Sequence, residues 1–179
     1  MHIKKIDTTT FVNKSKYPTW NTFYFTKIVN EKIETEDQIN EFLISVYKEL
    51  KEKNIQILLE KVYGQLSELK TITKIRENQI RKHFKNEIPY TFIDGAPCIG
   101  GKLVGVQIMG VDLRNSSNKV RTIINDKLPV GRIFETDDFT ELFLSGVSGV
   151  DKKAPHDNEA QTELMFHKSK DILLQNGFT

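Results

Sequence analysis

With 179 residues and 38% apolar content, the chain has material for one good core, or for one core and part of another, but not for two complete domains. The charged fraction of 28% is mixed, 26 Lys+Arg against 24 Asp+Glu, and a net charge of +2 argues against the concentrated basic face of a duplex nucleic-acid binder. A single cysteine, Cys98, excludes an intramolecular disulfide and a multi-thiolate metal site made by one chain. No apolar run approaches the ~18 residues of a bilayer span, and the first residues lack the apolar centre of a signal peptide, so a soluble cytoplasmic protein without membrane partners is expected.

In chain order, His2 to Thr8 is a weak strand candidate, and Thr22 to Val29, with Phe23, Tyr24, Phe25 and Ile28, has strand composition. The period then changes. Thr35 and Gln38 form a capping box, and Ile39, Phe42, Leu43, Val46 and Leu50 recur at three- and four-residue spacing, which predicts an amphipathic helix ending near Asn54. Ile55 to Leu66 reads as a strand with Ile57, Leu59, Lys61 and Tyr63 on one face and Leu58 and Val62 on the other. A second helix is predicted between Ile72 and Phe84, from Ile72, Ile75, Ile80 and Phe84. Its Lys74, Arg76, Arg81, Lys82, His83 and Lys85 read as a solvated face in preference to a phosphate-binding one. Tyr90 to Gly95 and Lys102 to Val111 are strands, and Gly100-Gly101 between them predicts a tight reversal that makes them antiparallel neighbours.

Asp112 to Lys119 is the best linker in the chain. Beyond it, Gly131 to Phe139 and Glu141 to Val150 read as a hairpin joined near Asp137-Asp138. The stretch 151–157 reads as a polar loop, and Asn158 with Gln161 as a second capping box opening a helix that closes at Gly177.

The ordered set Leu142-Phe143-Leu144-Ser145-Gly146, Ala160-Gln161-Thr162, Phe166, Ile172, Leu173 and Gly177 resembles the front half of the Rid (YjgF-like) fold. The stretch from Pro89 to Val111 resembles the end of such a domain more weakly. Two such units in tandem, with Leu128-Pro129-Val130-Gly131-Arg132 between them, are similar to the chorismatase branch, whose members cleave the enolpyruvyl ether of chorismate. The resemblance implies an α+β, chorismate-mutase-like mixed sheet with helices packed on one face. It divides the chain into a complete but degenerate domain over 1–111, a linker over 112–127, and the β-β-α first half of a second domain over 128–179. It further implies a small carboxylate metabolite such as chorismate as ligand, no cofactor or metal, and a homo-oligomer, with a trimer favoured.

A carboxylate ligand needs a fixed cation, and the planar fork of Arg pairs both oxygens. Arg132, after a glycine at a strand start, is expected to project into a cleft, and Ser145 and Gly146 at a strand end to offer a hydroxyl and backbone N–H groups to a second oxygen. Departures from the resemblance are equally specific. Thr91 stands near the place of the Arg that Rid deaminases use, and Gln107 near an acidic position, so enamine or imine deamination is a weaker alternative. A non-catalytic ligand-binding or oligomerisation module is another.

Other chemistry is poorly supported. The four histidines show no metal-ligand spacing, and Cys98 reads as a turn cysteine. Ile99-Gly100-Gly101-Lys102 lacks the full phosphate-loop pattern. The acidic group Glu135, Asp137, Asp138 and Glu141 reads as a solvent-facing hairpin tip, and nothing in the spacing selects Ser145, His156 and Asp157 as a triad.

Overall fold

The structure, a computed structural model, describes residues 2–5, 10–16, 20–113, 117–150 and 157–179. Strands β1 (His2–Lys5), β2 (Thr10–Lys16) and β3 (Asn21–Ile28) precede helix α1 (Glu36–Glu52). They are followed by β4 (Ile55–Gly64), α2 (Leu69–His83), β5 (Thr91–Asp94) and β6 (Leu103–Asp112). These six strands form one mixed sheet in the order β1-β2-β3-β6-β4-β5. Strands β7 (Lys119–Asn125), β8 (Leu128–Glu135) and β9 (Thr140–Leu144) form a second, antiparallel sheet, and helix α3 (Asn158–Gln175) follows.

Helix α1 forms where the pattern places it. Thr35 Oγ1 accepts from the Gln38 N–H, the Gln38 side chain accepts from the Thr35 N–H, and Ile39, Leu43, Val46, Tyr47 and Leu50 are buried. That face packs with Ile72 and Ile80 of α2 against Phe23 and Phe25 of β3, Val62 of β4 and Val106 of β6, so both helices lie on one side of the large sheet. On the other side, Trp20, Leu58 and Val111 meet Phe134 of the small sheet. Ile123 and Ile133, on the far face of the small sheet, pack against Ile172 of α3. The layers are therefore helix pair, large sheet, small sheet, single helix.

Several expectations are corrected. Strands β5 and β6 are not neighbours, because β4 lies between them, parallel to β5 and antiparallel to β6. Gly100 and Gly101 instead allow close approach to another segment. Gly101 has φ +99, bridges Ile33, and a Cβ there would lie 2.6 Å from the Ile33 carbonyl oxygen. The face assignment in β4 fails across a register shift between Ile57 and Leu59: Ile57 and Val62, expected on opposite faces, both lie on the helix side, while Leu58 faces the small sheet. Strand β2 was not expected, and β7 falls within the stretch read as a linker. Helix α3 is capped one residue earlier than expected: Asp157 Oδ1 accepts from the Ala160 N–H at 2.9 Å. The helix closes at Gly177 as predicted, with the Phe178 N–H returning to the Leu173 carbonyl.

Candidate functional site

Arg132 lies in β8, the middle strand of the small sheet, opposite Thr122 of β7 and Phe143 of β9. Alternation puts it on the same face as Phe134, toward the large sheet. It is 1% exposed, so it does not project from a sheet edge into an open cleft as the sequence implied; a middle strand between two packed sheets has no open edge. Its Nε and Nη1 have no hydrogen-bond partner, and desolvation lowers its pKa to about 10. Ser145 follows the end of β9 and is 2% exposed, with its Oγ also unpartnered. Its N–H is already donated to the Val130 carbonyl at 2.9 Å, so only the hydroxyl is left for a ligand.

Gly146 completes the expected trio and is exposed. It has φ +68, a Cβ there would lie 2.8 Å from the Tyr90 carbonyl oxygen, and its N–H donates to Thr91 Oγ1 at 3.1 Å. The Ser145-Gly146 corner is thus pinned against the start of β5. Thr91, in the place where the resemblance looks for an arginine, uses its hydroxyl for this tether. Gln107, in the expected acidic place, accepts from the Tyr63 hydroxyl at 2.7 Å.

Gly146 also lines a cleft of about 290 Å³ where α2, the segment before β5 and the β7–β8 turn meet. Arg76, Arg81, Glu87, Tyr90, Lys127 and Val130 contribute to its walls. Of the three expected site residues only Gly146 reaches this space. Arg132 and Ser145 do not line it; Arg132 faces the large sheet from β8.

A buried polar network behind the cleft was not foreseen. Glu60 of β4, fully buried, accepts from the Tyr47 hydroxyl and from Arg76 Nη2, both at 2.5 Å. Arg76 Nη2 also donates to the Ile88 carbonyl at 2.9 Å, and the guanidinium stacks 4.1 Å from the Tyr90 ring centroid. Tyr90 in turn hydrogen-bonds Thr73 through the two hydroxyls. Burial tends to lower the pKa of Arg76, but Glu60, Tyr47 and Tyr90 together more than offset it, so the cation is held firmly charged. Burial and then Glu60 raise that of Tyr47. The helix-face reading of α2 is therefore corrected at Arg76, which points inward. The usable signal was its position, four residues after Ile72 and four before Ile80, both in the core.

The remaining candidates stay apart from this region. Cys98 is an exposed free thiol, His167 is exposed, and His156 lies outside the described residues. Among the described residues, no cluster of His, Cys, Asp or Glu could hold a metal, and no helix is long and apolar enough to cross a membrane.

No protein-family model and no curated protein matches the sequence. Among solved structures, a crystal structure of chorismatase matches with a TM-score of 0.59 and 11% identity, over 100% of this chain and 72% of that one. The fold is chorismatase-like. At 11% identity the likeness carries architecture, the mixed α+β arrangement, and no particular chemistry.

Proposed function

We propose that this protein is a Rid-related, chorismatase-like binder of a small anionic carboxylate such as chorismate. Arg132 receives the carboxylate, Ser145 Oγ hydrogen-bonds a second oxygen, and Gly146 forms the boundary with the open cleft. The observation that carries the reading is the pairing of a buried guanidinium lacking a partner at two nitrogens with a nearby strand-end hydroxyl that also lacks one. Buried polar groups are nearly always satisfied, and a carboxylate would satisfy both at once. Access requires the Ser145-Gly146 corner to move off Thr91, a tether of one hydrogen bond. The sequence resemblance to chorismatases at residues 128–132 and at Ser145-Gly146 adds an enolpyruvyl ether as the ligand's reactive group, and its hydrolysis or elimination as the reaction. The division into a domain over 1–111 and a partial second one over 128–179, and assembly into a homo-oligomer, belong to the same proposal.

The test is to incubate the protein with chorismate and follow pyruvate release, alongside calorimetric titration of chorismate into wild type and Arg132→Met. Pyruvate release together with binding that the variant loses is the expected result. Binding that does not depend on Arg132 would overturn the assignment of the site. A second reading, a non-catalytic ligand-binding or assembly module, is favoured by the enclosure of Arg132 and Ser145. It predicts Arg132-dependent binding without pyruvate, and a stable oligomer by light scattering. Enamine or imine deamination ranks below both, because the 88–93 segment carries no arginine and Thr91 is engaged in the tether.

A further inference from the structure

The cleft of about 290 Å³ that Gly146 borders lies outside the carboxylate site proposed above, and its lining combines apolar surface with charges of both signs. Ile80 of α2, Pro89, and Leu128, Pro129 and Val130 of β8 supply the apolar part. Leu128 is 65% exposed there, apolar surface that an occupant would cover.

Among the charged residues, Arg76 is built into the fold. It is 2% exposed, and its Nη2 donates to Glu60 and to the Ile88 carbonyl, while its Nε–H has no acceptor. A buried donor without an acceptor is rare, and this one belongs to a residue of the cleft wall. A carboxylate entering the cleft would supply the acceptor.

The rim carries both signs. Glu77 and Arg81 pair at 3.4 Å, and Glu87 and Lys127, both exposed, add a carboxylate and an ammonium. Asp126 (φ +49) and Lys127 (φ +66) are both left-handed, so the β7–β8 turn has the backbone usually built from Asn-Gly. A lysine held there against that preference puts an ammonium at the cleft. A purely anionic ligand would lie beside Glu77 and Glu87, and a purely cationic one beside Arg76, Arg81 and Lys127, so the lining favours a molecule with one charge of each sign.

We propose that this cleft binds a zwitterionic α-amino acid with an apolar side chain. Arg76 Nε and Lys127 receive its carboxylate, Glu87 its ammonium, and Ile80, Leu128 and Val130 its side chain. The space is at the small end of the range for ligand pockets, which suits a single amino acid in preference to a peptide.

The test titrates leucine, isocaproate, which lacks the ammonium, and isoamylamine, which lacks the carboxylate, into the protein by calorimetry. Leucine is expected to bind about tenfold more tightly than either analogue, because each lacks one charge-assisted contact. Glu87→Gln and Lys127→Gln, both at exposed positions, are expected to weaken leucine binding about fivefold with an unchanged melting temperature. Arg132→Met is expected to leave leucine binding unchanged while it abolishes that of chorismate, so the two sites fail separately. Equal affinity for leucine and either analogue, absence of leucine binding, indifference to both rim substitutions, or dependence on Arg132 would each overturn the proposal.

Discussion

Arg76 and Arg132 are both withdrawn from water, and their surroundings give them opposite energetics. Arg76 is held by the fully buried Glu60, so removing one partner leaves a buried charge uncompensated. Glu60→Gln is expected to cost about 3 kcal/mol or more, and Tyr47→Phe, which removes one hydrogen bond from the same carboxylate, about 1 kcal/mol, both measured by urea denaturation. Arg132 carries its desolvation without such compensation. Its folded pKa of about 10 lies below that of the unfolded chain, which therefore binds the proton more tightly. The penalty is present in full below about pH 10 and fades as pH rises above it. Arg132→Met is accordingly expected to stabilise the ligand-free protein by about 1–2 kcal/mol at neutral pH, with the gain shrinking when the melts are repeated at pH 11. A loss of stability in this variant would show that the guanidinium is structural and would remove the main support for the ligand site.

At the level of elements, the junction between β9 and β5 is the small contact on which the arrangement of the site depends. Gly146 combines a left-handed backbone with a close approach to the Tyr90 carbonyl, so Gly146→Ala meets both obstacles. The variant is expected to lose about 1–2 kcal/mol and to exchange the Ser145 and Gly146 amides faster with solvent deuterium, whereas Gly95→Ala, with nothing within 4 Å of the added methyl, is expected to be nearly neutral. Unchanged exchange at Gly146 would mean that the tether to Thr91 does not restrain this corner. The register shift in β4 has a comparable effect on packing. By bringing Ile57 and Val62 onto the same face, it lets both ends of the strand serve the helix-side core while Leu58 fills the seam between the sheets.

Across the whole molecule, the seam formed by Trp20, Leu58, Val111 and Phe134 joins the large sheet to the small one. Apolar burial on both sides of that seam couples the layers, so Trp20 fluorescence and far-UV circular dichroism are expected to report one coincident unfolding transition. Phe134→Ala, deleting a ring that is 2% exposed, is expected to cost about 3–5 kcal/mol and to make the fluorescence transition precede the loss of secondary structure. Two resolved transitions in the wild type would instead show that the sheets unfold as separate units. Helix α3 is the lightly held layer, with Ile172 its one buried residue and Phe166 and Leu174 well exposed.

Local signals in the sequence were sufficient for several elements. Thr35 and Gln38 with the apolar spacing of α1, the β8–β9 hairpin, and the stop of α3 at Gly177 depend on contacts within a few residues, and those contacts are written in neighbouring positions. The strand order was not legible, because Gly100-Gly101 serves a contact with Ile33 almost seventy residues earlier and the two strands it separates flank β4. The residues of the candidate site could be named, but not their setting. Ser145, Gly146 and Arg132 were named from residue type, order and the family resemblance, but the burial of Arg132 and Ser145, their missing partners and the tether of Gly146 to Thr91 arise only when two sheets close on each other. Glu60 and Arg76 were hidden for the same reason: a charged residue at a core position breaks the apolar pattern, and only the tertiary structure brings its partner, sixteen residues away, within hydrogen-bond reach.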